Sequence, residues 1–490
     1  MNKLVLSLVA ASAMSMSAGA ATIGKVICRQ QWPWSANINV EYIIADVSGP
    51  VDIMVRCFNG DVELSSAVMH NAISGEIVNV STPGIKCFTI DPVKAFGNAN
   101  GCIDRFSVQL TAVPAAKNHD EVLYKVFDLS GDATPYPCTD ITRGDLLSGK
   151  YGDYETEYGR IGDGFNTKLS DVLIWTAVTN GTGYKTDKLV MRKIPAAGVE
   201  WTIGSRTGEL GASNGGNSGN EAQHTVRLTE DFYMSVFEVT QAQYAKFYSL
   251  PGGFTNETDS ALRPVESCKY GSDLRGLLNW KAQDGSASHD EYAVWPTNAY
   301  RHCVRYNRAI GKMRSKLGVK VDLPTSAQWE FACRAGTETA LYSGKEMTAD
   351  NGRCPNVEEI AWTASSDYSG APGGTAQTRP VGLKKPNAFG LYDMAGNVAE
   401  WCLDWFYADI SVFYDKTETG MADVAHTGVL VDPVGRSVRS DTNNLRTRRG
   451  GSWYNYQKFS RSAIREGHNY ENNKEYLGLR IVCPVAADWK

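Results

Sequence analysis

The sequence lacks the features that mark several large classes of protein. Beyond residue 20, no stretch reaches the roughly 18 consecutive apolar residues that a membrane-spanning helix needs. It has no long run of lysine and arginine, and its formal net charge is −5. Histidine is scarce, with seven residues in 490 and no pair at H-x-x-x-H spacing. We therefore expect no membrane span, no nucleic-acid partner and no local histidine metal motif.

The remaining composition is that of an ordinary globular protein. Apolar residues make up 42% of the chain and charged residues 21%, which excludes a predominantly disordered chain. At about 150 residues per domain, the length predicts two to four domains.

The first 20 residues predict a secretory signal. Lys3 precedes an apolar run from Leu4 to Ala13, and Ala18-Gly19-Ala20 fits the small-x-small cleavage rule. A buried N-terminal helix is the alternative. The signal predicts an exported protein, located in the periplasm, on the cell surface or outside the cell. In such a compartment, the 11 cysteines are expected to form disulfides, with at least one thiol left over.

The next part of the chain predicts strands. Residues 37–43 and 51–55 alternate between polar and apolar, and Gly49-Pro50 and Asn59-Gly60 supply turns. Residues 22–112 therefore predict a small β-sandwich-like module. Residues 113–190 predict a connector or a second small β unit, with strands at 122–129 and 171–178.

From residue 191 onward, three helices are expected among long loops. Thr240 to Gln243 and Thr325 to Gln328 are capping boxes, which open helices to about Leu250 and to Gly336. Helical periodicity also covers 298–317. Disulfide staples are expected to hold the loops together, with connectivity left open, and the cysteines in this part are Cys268, Cys303, Cys333, Cys354, Cys402 and Cys483.

The same part carries a series of specific segments in a fixed order. The segments are WTIGS at 201–205, EAQH at 221–224, EVTQ at 238–241, LPTSAQWE at 323–330, NAFGLYDM at 387–394, GNVAEW at 396–401, RGGSW at 449–453, then Arg461, Arg465 and LGLR at 477–480. Together they resemble the formylglycine-generating enzyme family, also called the sulfatase-modifying factor family. The resemblance covers about 60% of the chain, residues 191–487. It implies an α+β, C-type-lectin-like fold with little regular secondary structure.

The resemblance also locates the positions of the family's catalytic cysteines. Oxidases of the family use two cysteines, three and eight residues after the serine of Gly-Gly-Ser, to hold copper and convert a substrate cysteine to formylglycine. Counted from Ser452, these positions are Asn455 and Ser460. An amide and a hydroxyl cannot replace the thiolates that Cu(I) prefers. We therefore expect no catalytic residues of this type and no copper.

Asn397 and Glu400 match the family's calcium-binding segment, and hard oxygen ligands suit Ca²⁺. The resemblance thus implies a structural calcium ion. In the alternative, Asn397 lies in a turn and Glu400 pairs with an arginine.

The end of the chain is rich in groups that suit ligand binding. Three arginines predict one of two arrangements: Arg461, Arg465 and Arg480. They form either an anion site or buried ion pairs with carboxylates. Candidate partners for such pairs are Glu238, Glu330 and Asp393. A surface for a protein or glycan ligand is predicted from the aromatic residues Trp453, Tyr454, Tyr456, Tyr470 and Tyr476. Packing in the core is the alternative, above all for Trp453.

These observations lead to one principal hypothesis for function. We expect an exported, disulfide-stapled binding or accessory protein, a pseudoenzyme of this family. The alternative is an oxidoreductase of the family that modifies a protein cysteine or uses a different metal site.

Overall fold

The structure is a computed structural model. It describes residues 21–30, 37–60, 62–63, 72–78, 80–96, 106–114, 120–148, 150–157, 172–212, 216, 219–253, 255–276, 290–292, 303–350, 353–364, 377–407, 428–433 and 445–485. The predicted secretory signal, residues 1–20, lies outside these ranges.

The described strands are short. In chain order they are β1 (Thr22–Gln30), β2 (Ile38–Ala45), β3 (Val51–Asn59), β4 (Val62–Glu63), β5 (Ile73–Gly75), β6 (Gly84–Ile90), β7 (Phe106–Pro114), β8 (Val122–Asp128), β9 (Cys138–Thr142), β10 (Tyr154–Glu157), β11 (Val172–Trp175) and β12 (Lys188–Ile194). They continue with β13 (Glu200–Ile203), β14 (His224–Arg227), β15 (Phe232–Ser235), β16 (Asp290–Tyr292), β17 (Cys303–Arg305), β18 (Ala399–Trp405), β19 (Leu430–Val431), β20 (Leu445–Arg449), β21 (Glu466–Asn469), β22 (Leu477–Gly478) and β23 (Val482–Pro484).

The helices are also short. They are α1 (Pro92–Phe96), α2 (Arg143–Leu147), α3 (Gly183–Thr186), α4 (Gln241–Ala245), α5 (Ala309–Leu317), α6 (Ser326–Arg334) and α7 (Pro355–Glu358). Short 3₁₀ turns occur at Thr176–Thr179, Gly219–Glu221, Ser260–Leu262 and Gln457–Ser460, and a π-helical turn at Tyr270–Arg275. No described helix is both long enough and apolar enough to cross a membrane.

The chain forms two compact units. The first comprises residues 1–122, 141–155 and 175–177, and the second comprises 123–140, 156–174 and 178–490. Residues 113–190, predicted as a connector or a second small β unit, are thus divided between both units. Strands were expected at both ends of this stretch, and the structure has β8 and β11 there.

The first unit is built on two antiparallel sheets. Their strand orders are β1-β2-β6-β5 and β4-β3-β7. In β2, Ile38, Val40, Tyr42 and Ile44 are buried, as the alternating sequence pattern predicts. They share one apolar core with Ile53 and other residues of the second sheet. The prediction of a β-rich N-terminal module is therefore confirmed.

The second unit combines small sheets with few helices. A five-stranded sheet has the order β23-β15-β12-β8-β9, and a four-stranded sheet has the order β21-β20-β18-β22. All seven residues of β18 are buried, because the strand lies between β20 and β22. Helix α6 is buried along its whole length and packs into the same core. This architecture confirms the α+β prediction.

Both predicted capping boxes are present. The backbone N–H of Gln243 donates to Thr240 Oγ1 at 3.2 Å, and the Thr240 N–H donates to Gln243 Oε1 at 3.0 Å. Thr325 and Gln328 repeat the pattern. Because these contacts are local, the sequence locates the starts of α4 and α6 correctly. A helix was predicted over 298–317, of which residues 298–302 lie outside the described ranges. Within the described part, residues 303–305 form β17 and the helix runs over Ala309–Leu317.

The cysteines correct a prediction. The structure describes nine cysteine side chains, and all nine are free thiols, so no disulfide staple joins any two of them. Of the six cysteines expected to staple the second unit, five are buried: Cys268, Cys333, Cys354, Cys402 and Cys483. They fill the core as small apolar side chains rather than clamping loops at the surface.

Candidate functional site

Two glycines determine the conformation of the loop after β20. Gly450 and Gly451 have φ values of +88° and +66°, in the region that favours glycine. A Cβ atom on Gly451 would lie 2.5 Å from the carbonyl oxygen of Phe459. The chain therefore turns tightly at this point and places residues 453–456 next to the turn.

Asn455 and Ser460 lie in this loop and differ in environment. Asn455 is half-buried, and its Oδ1 accepts a hydrogen bond from Ser452 Oγ at 2.6 Å. Ser460 is 2% exposed, and its hydroxyl has no hydrogen-bond partner among the described residues. Asn455 thus helps to hold the turn, and Ser460 is a buried side chain next to Arg461.

Cys354, which the sequence indicated only as a candidate disulfide cysteine, contacts the same loop through its backbone. The backbone N–H of Cys354 donates to Gln457 Oε1. Burial raises the pKa of the Cys354 thiol, but hydrogen bonds from Thr348 and from backbone N–H groups outweigh it, so the pKa lies below its ordinary value. The Thr348 N and Oγ1 atoms each lie 3.3 Å from Sγ. The spacing of Cys354 in the sequence gives no sign of this contact.

Three tyrosines form what we call the tyrosine surface: Tyr454 and Tyr456, which are exposed residues of the loop, and Tyr476, which is half-buried and directly precedes β22. Tyr454 is 47% exposed and Tyr456 51%. The rings of Tyr454 and Tyr476 stack with centroids 5.1 Å apart. The guanidinium carbon of Arg448 lies 5.2 Å from the Tyr476 centroid. The prediction of exposed tyrosines is therefore met at Tyr454 and Tyr456.

The two other predicted aromatic residues are placed differently. Trp453 is 8% exposed and donates from Nε1 to the Glu475 carbonyl at 3.1 Å, which matches the core-packing alternative. Tyr470 is half-buried and packs edge-on against Trp405. Trp453 therefore packs beneath the surface against Tyr454, and Tyr470 packs against β18.

Arg461 and Arg465 do not belong to the surface, which corrects their prediction as binding residues. Arg461 is 1% exposed and pairs with Glu221 at 2.6 Å and Glu209 at 3.0 Å. Arg465 is 3% exposed and donates from Nε to Ser326 Oγ at 3.2 Å. Arg461 matches the alternative of a buried arginine paired with carboxylates, although with partners other than those expected, whereas Arg465 is buried and donates to a hydroxyl.

Glu400 also forms a buried ion pair with an arginine. Its carboxylate accepts from Arg480 at 2.9 Å and from Trp329 Nε1 at 2.6 Å. Asn397 lies in a turn with φ +55°, where its Oδ1 accepts from the Arg379 backbone N–H at 2.9 Å. These contacts match the alternative stated for the two residues. Calcium at this position stays a prediction, and among the described residues no group of three or more His, Cys, Asp or Glu side chains is arranged to hold a metal ion.

The chain matches one family along most of the second unit. The model of the "sulfatase-modifying factor enzyme 1-like domain" matches residues 194–485. The chain belongs to this family. Its relatives include a formylglycine-generating enzyme of Streptomyces coelicolor, 28% identical over 318 residues, which covers 59% of this chain and 88% of the relative.

Further relatives match a smaller share of the chain, and one of them carries a different name. A formylglycine-generating enzyme of Thermomonospora curvata is 31% identical and covers 42% of this chain. A protein of Paenibacillus barcinonensis named "Chaperone protein LppX" is 29% identical and covers 36%. The matches span only 61% and 62% of the length of these two relatives. Among solved structures, PvdO from Pseudomonas aeruginosa has a TM-score of 0.37 at 20% identity and covers 60% of this chain and 94% of its own.

The family segments account for a buried carboxylate cluster. Glu238, Asp393 and Glu400 come from three of the segments and surround Arg480. Burial, together with the charges of Asp393 and Glu400, raises the pKa of Glu238 well above its ordinary value. Burial also raises the pKa of Asp393 to about 6, although the Gly382 N–H, Arg480 and Lys185 act in the opposite direction. Arg480 therefore acts on three buried carboxyl groups, and Lys185 adds a second positive charge beside Asp393.

The Asp393 shift predicts how stability depends on pH. In the unfolded chain Asp393 loses its proton near pH 4, whereas in the folded chain it does so near pH 6. Between these values the folded state binds more protons, so the free energy of unfolding falls as pH rises, by about 3 kcal/mol from this group. Asp393→Asn keeps a residue type that tolerates the left-handed φ of +56° and should flatten this slope.

Urea unfolding at pH steps from 4 to 7 measures the effect. Glu358→Gln is the matched control, because Arg353 lowers the pKa of the Glu358 carboxyl and its contribution has the opposite sign. If Asp393→Asn keeps the slope of the parent protein, Asp393 does not titrate as described.

Proposed function

We propose that this protein is a non-catalytic member of its family, exported from the cell, which binds a protein or glycan ligand on the tyrosine surface. The observation that carries the proposal is the loop after Gly450-Gly451. It combines exposed tyrosine rings with an amide and a hydroxyl at the two positions where the resemblance locates the oxidases' cysteines. The names of its relatives support a wider range of roles, since they include a chaperone and a protein kinase as well as formylglycine-generating enzymes.

The chemistry of the loop supports the non-catalytic part of the proposal. Asn455 is engaged by Ser452, and Ser460 is buried, so neither offers the soft sulfur ligand that Cu(I) needs. Cys354 touches the loop through its backbone N–H and the Gln457 side chain. Its thiol is fully buried and is held by Thr348, so it is not presented to a substrate in this structure.

The chemistry of the surface supports the binding part. Tyrosine rings supply large contact areas and lose little rotamer freedom on binding, and they are enriched where binding energy is concentrated. The stacked pair of Tyr454 and Tyr476 is held in place by Trp453 below and Arg448 beside it. Such a pre-organised surface loses less entropy on binding than a mobile one.

We expect no formylglycine formation. Purified protein, supplied with Cu(I) and air and incubated with a cysteine peptide of the sulfatase type, should leave the peptide unchanged in mass spectrometry. A formylglycine-generating enzyme assayed in parallel should convert the same peptide and so validates the conditions. Multiple turnovers by this protein would contradict the proposal and favour the alternative, an oxidoreductase of the family that uses a different metal arrangement.

We expect ligand binding to depend on the exposed tyrosines. A glycan and peptide array identifies a ligand, and titration then compares the parent protein with Tyr454→Ala and Tyr456→Ala. Each substitution should weaken binding about tenfold, which corresponds to about 1.4 kcal/mol. Leu383→Ala is the control, because Leu383 is an exposed apolar residue, 56% accessible, outside the surface. Equal affinity in all four proteins would show that the ligand binds elsewhere.

A further inference from the structure

The second unit contains a cavity that the proposed function does not use. It has a volume of about 1210 Å³ and lies between α5 and residues of β8 and β9. Ligand sites for small molecules usually measure about 300–1,000 Å³, so a small organic molecule fits. Its wall includes the buried apolar residues Phe127, Val304 and Leu317, and the exposed ring of Tyr306 lies at its edge. None of the residues of the tyrosine surface lines it.

The cavity is strongly cationic in a chain whose net charge is negative. Five cationic side chains line it but only one carboxylate does. Lys125 pairs with that carboxylate, Asp140, at 2.6 Å, and Arg314 pairs with Asp322 at 3.0 Å. The three other cations are Lys312, Lys316 and Lys320, and no carboxylate of the described residues lies within ion-pair distance of them.

Helical spacing places two of these charges together, because Lys312 and Lys316 are four residues apart on α5 and lie on the same face of the helix. Lys320 lies beyond the end of α5, after Gly318, and lines the same cavity. Like charges at this spacing destabilise an isolated helix by about 0.2–0.5 kcal/mol per pair. An anion bound between them would turn this repulsion into attraction.

The contacts of the lysines also orient them. Lys312 Nζ lies 5.0 Å from the ring centroid of Tyr248. Lys316 Nζ donates to the Lys246 carbonyl at 2.8 Å and to the Tyr136 hydroxyl at 3.5 Å. The ring of Tyr136 also lines the cavity, so a cation and an aromatic ring stand side by side in its wall.

We propose that this cavity binds a small organic anion, with a carboxylate or phosphate head against Lys312, Lys316 and Lys320 and an aromatic body against Tyr136 and Tyr306. The positive charge of the lining favours the carboxylate or phosphate group of the ligand, and the apolar wall favours its aromatic group. The proposal is independent of the tyrosine surface, because the two sites share no residue.

Calorimetric titration with three probes tests the chemistry of the ligand. The probes are 2-naphthyl phosphate, 2-naphthol and inorganic phosphate. Naphthyl phosphate should bind at least tenfold more tightly than either of the others, and its affinity should fall as salt is raised.

Three results would contradict the proposal. Equal affinities for naphthyl phosphate and naphthol would overturn the role of the lysines. Equal affinities for naphthyl phosphate and inorganic phosphate would overturn the role of the aromatic wall. Binding of a glutamate-rich peptide without binding of naphthyl phosphate would overturn the small-molecule proposal in favour of an acidic protein segment.

Lysine variants then locate the probe. Lys312→Gln/Lys320→Gln keeps the hydrogen bonds of Lys316 and should weaken the binding of naphthyl phosphate at least tenfold, without lowering the melting temperature. Lys316→Gln alone should weaken it about fivefold. Lys385→Gln is the control, since Lys385 is an exposed lysine paired with Glu359 at 3.1 Å outside the cavity. Unchanged affinity in both cavity variants would overturn the proposal.

Discussion

Replacing Arg480 by methionine should lower the free energy of unfolding of the second unit by about 3–5 kcal/mol, the usual cost of removing one partner of a buried ion pair. Arg480 is fully buried and pairs with Glu400 at 2.9 Å. Its guanidinium also donates to the backbone carbonyls of Ser235, Val236 and Tyr392. The substitution therefore removes the cationic partner of a buried carboxylate, which keeps Trp329 Nε1 as a donor, and removes one donor from each of three carbonyls.

Urea unfolding followed by tryptophan fluorescence measures this change. Arg353→Met is the matched control, because Arg353 forms an ion pair with Glu358 while 76% of its side chain is exposed. Solvent screens such a pair, so the control should change the midpoint very little. Arg480→Met/Glu400→Gln removes the charge of the pair as well, and should recover part of the loss. If Arg480→Met unfolds at the same midpoint as the control, the ion pair does not hold the carboxylate cluster together.

Replacing Gly451 by alanine should have an effect of similar size, by a different cause. The left-handed φ of +66° costs a residue with a Cβ about 1–2 kcal/mol, and the contact with the Phe459 carbonyl forces a shift that costs about 1–3 kcal/mol more. We expect a loss of about 2–5 kcal/mol in unfolding free energy. Because Gly451 sets the direction of residues 453–456, ligand binding at the tyrosine surface should weaken as well.

Gly428→Ala provides the control for Gly451→Ala. No atom lies within 4 Å of a Cβ built on Gly428, and its φ is not in the left-handed region. The control should keep both stability and binding. Unchanged stability of Gly451→Ala would show that the loop relaxes around the new methyl group, and unchanged binding would separate the turn from the tyrosine surface.

The sequence predicted the parts of the fold that depend on local contacts. The capping boxes at Thr240 and Thr325 involve residues three positions apart, and both helices begin where expected. The alternation in β2 predicted which side chains are buried. The family segments predicted the fold class, and the family match covers 194–485.

The sequence could not predict which distant residues pair. Arg461 contacts Glu221 across 240 residues, and no local pattern indicates this partner. Residues 113–190 do not stand alone, because β8 pairs with β12, which pairs in turn with β15. The lysines of the cavity left only a weak signal, a spacing of four residues. For the candidate site, exposure of Tyr454 and Tyr456 was predicted, whereas burial of Arg461 and Arg465 appeared only as an alternative.

The pairing of β15 with β23 affects the order in which the second unit can fold. Phe232 pairs with Pro484 and Met234 with Val482, and Val482 also exchanges hydrogen bonds with Asp322. A ribosome must therefore synthesise roughly 250 further residues after β15 before its edge can be covered, and closing so long a loop is slow. Until then this edge of β15 lacks its partner strand, whereas the other edge can already pair with β12. The five-stranded sheet of the second unit can therefore be completed only after synthesis has passed residue 484.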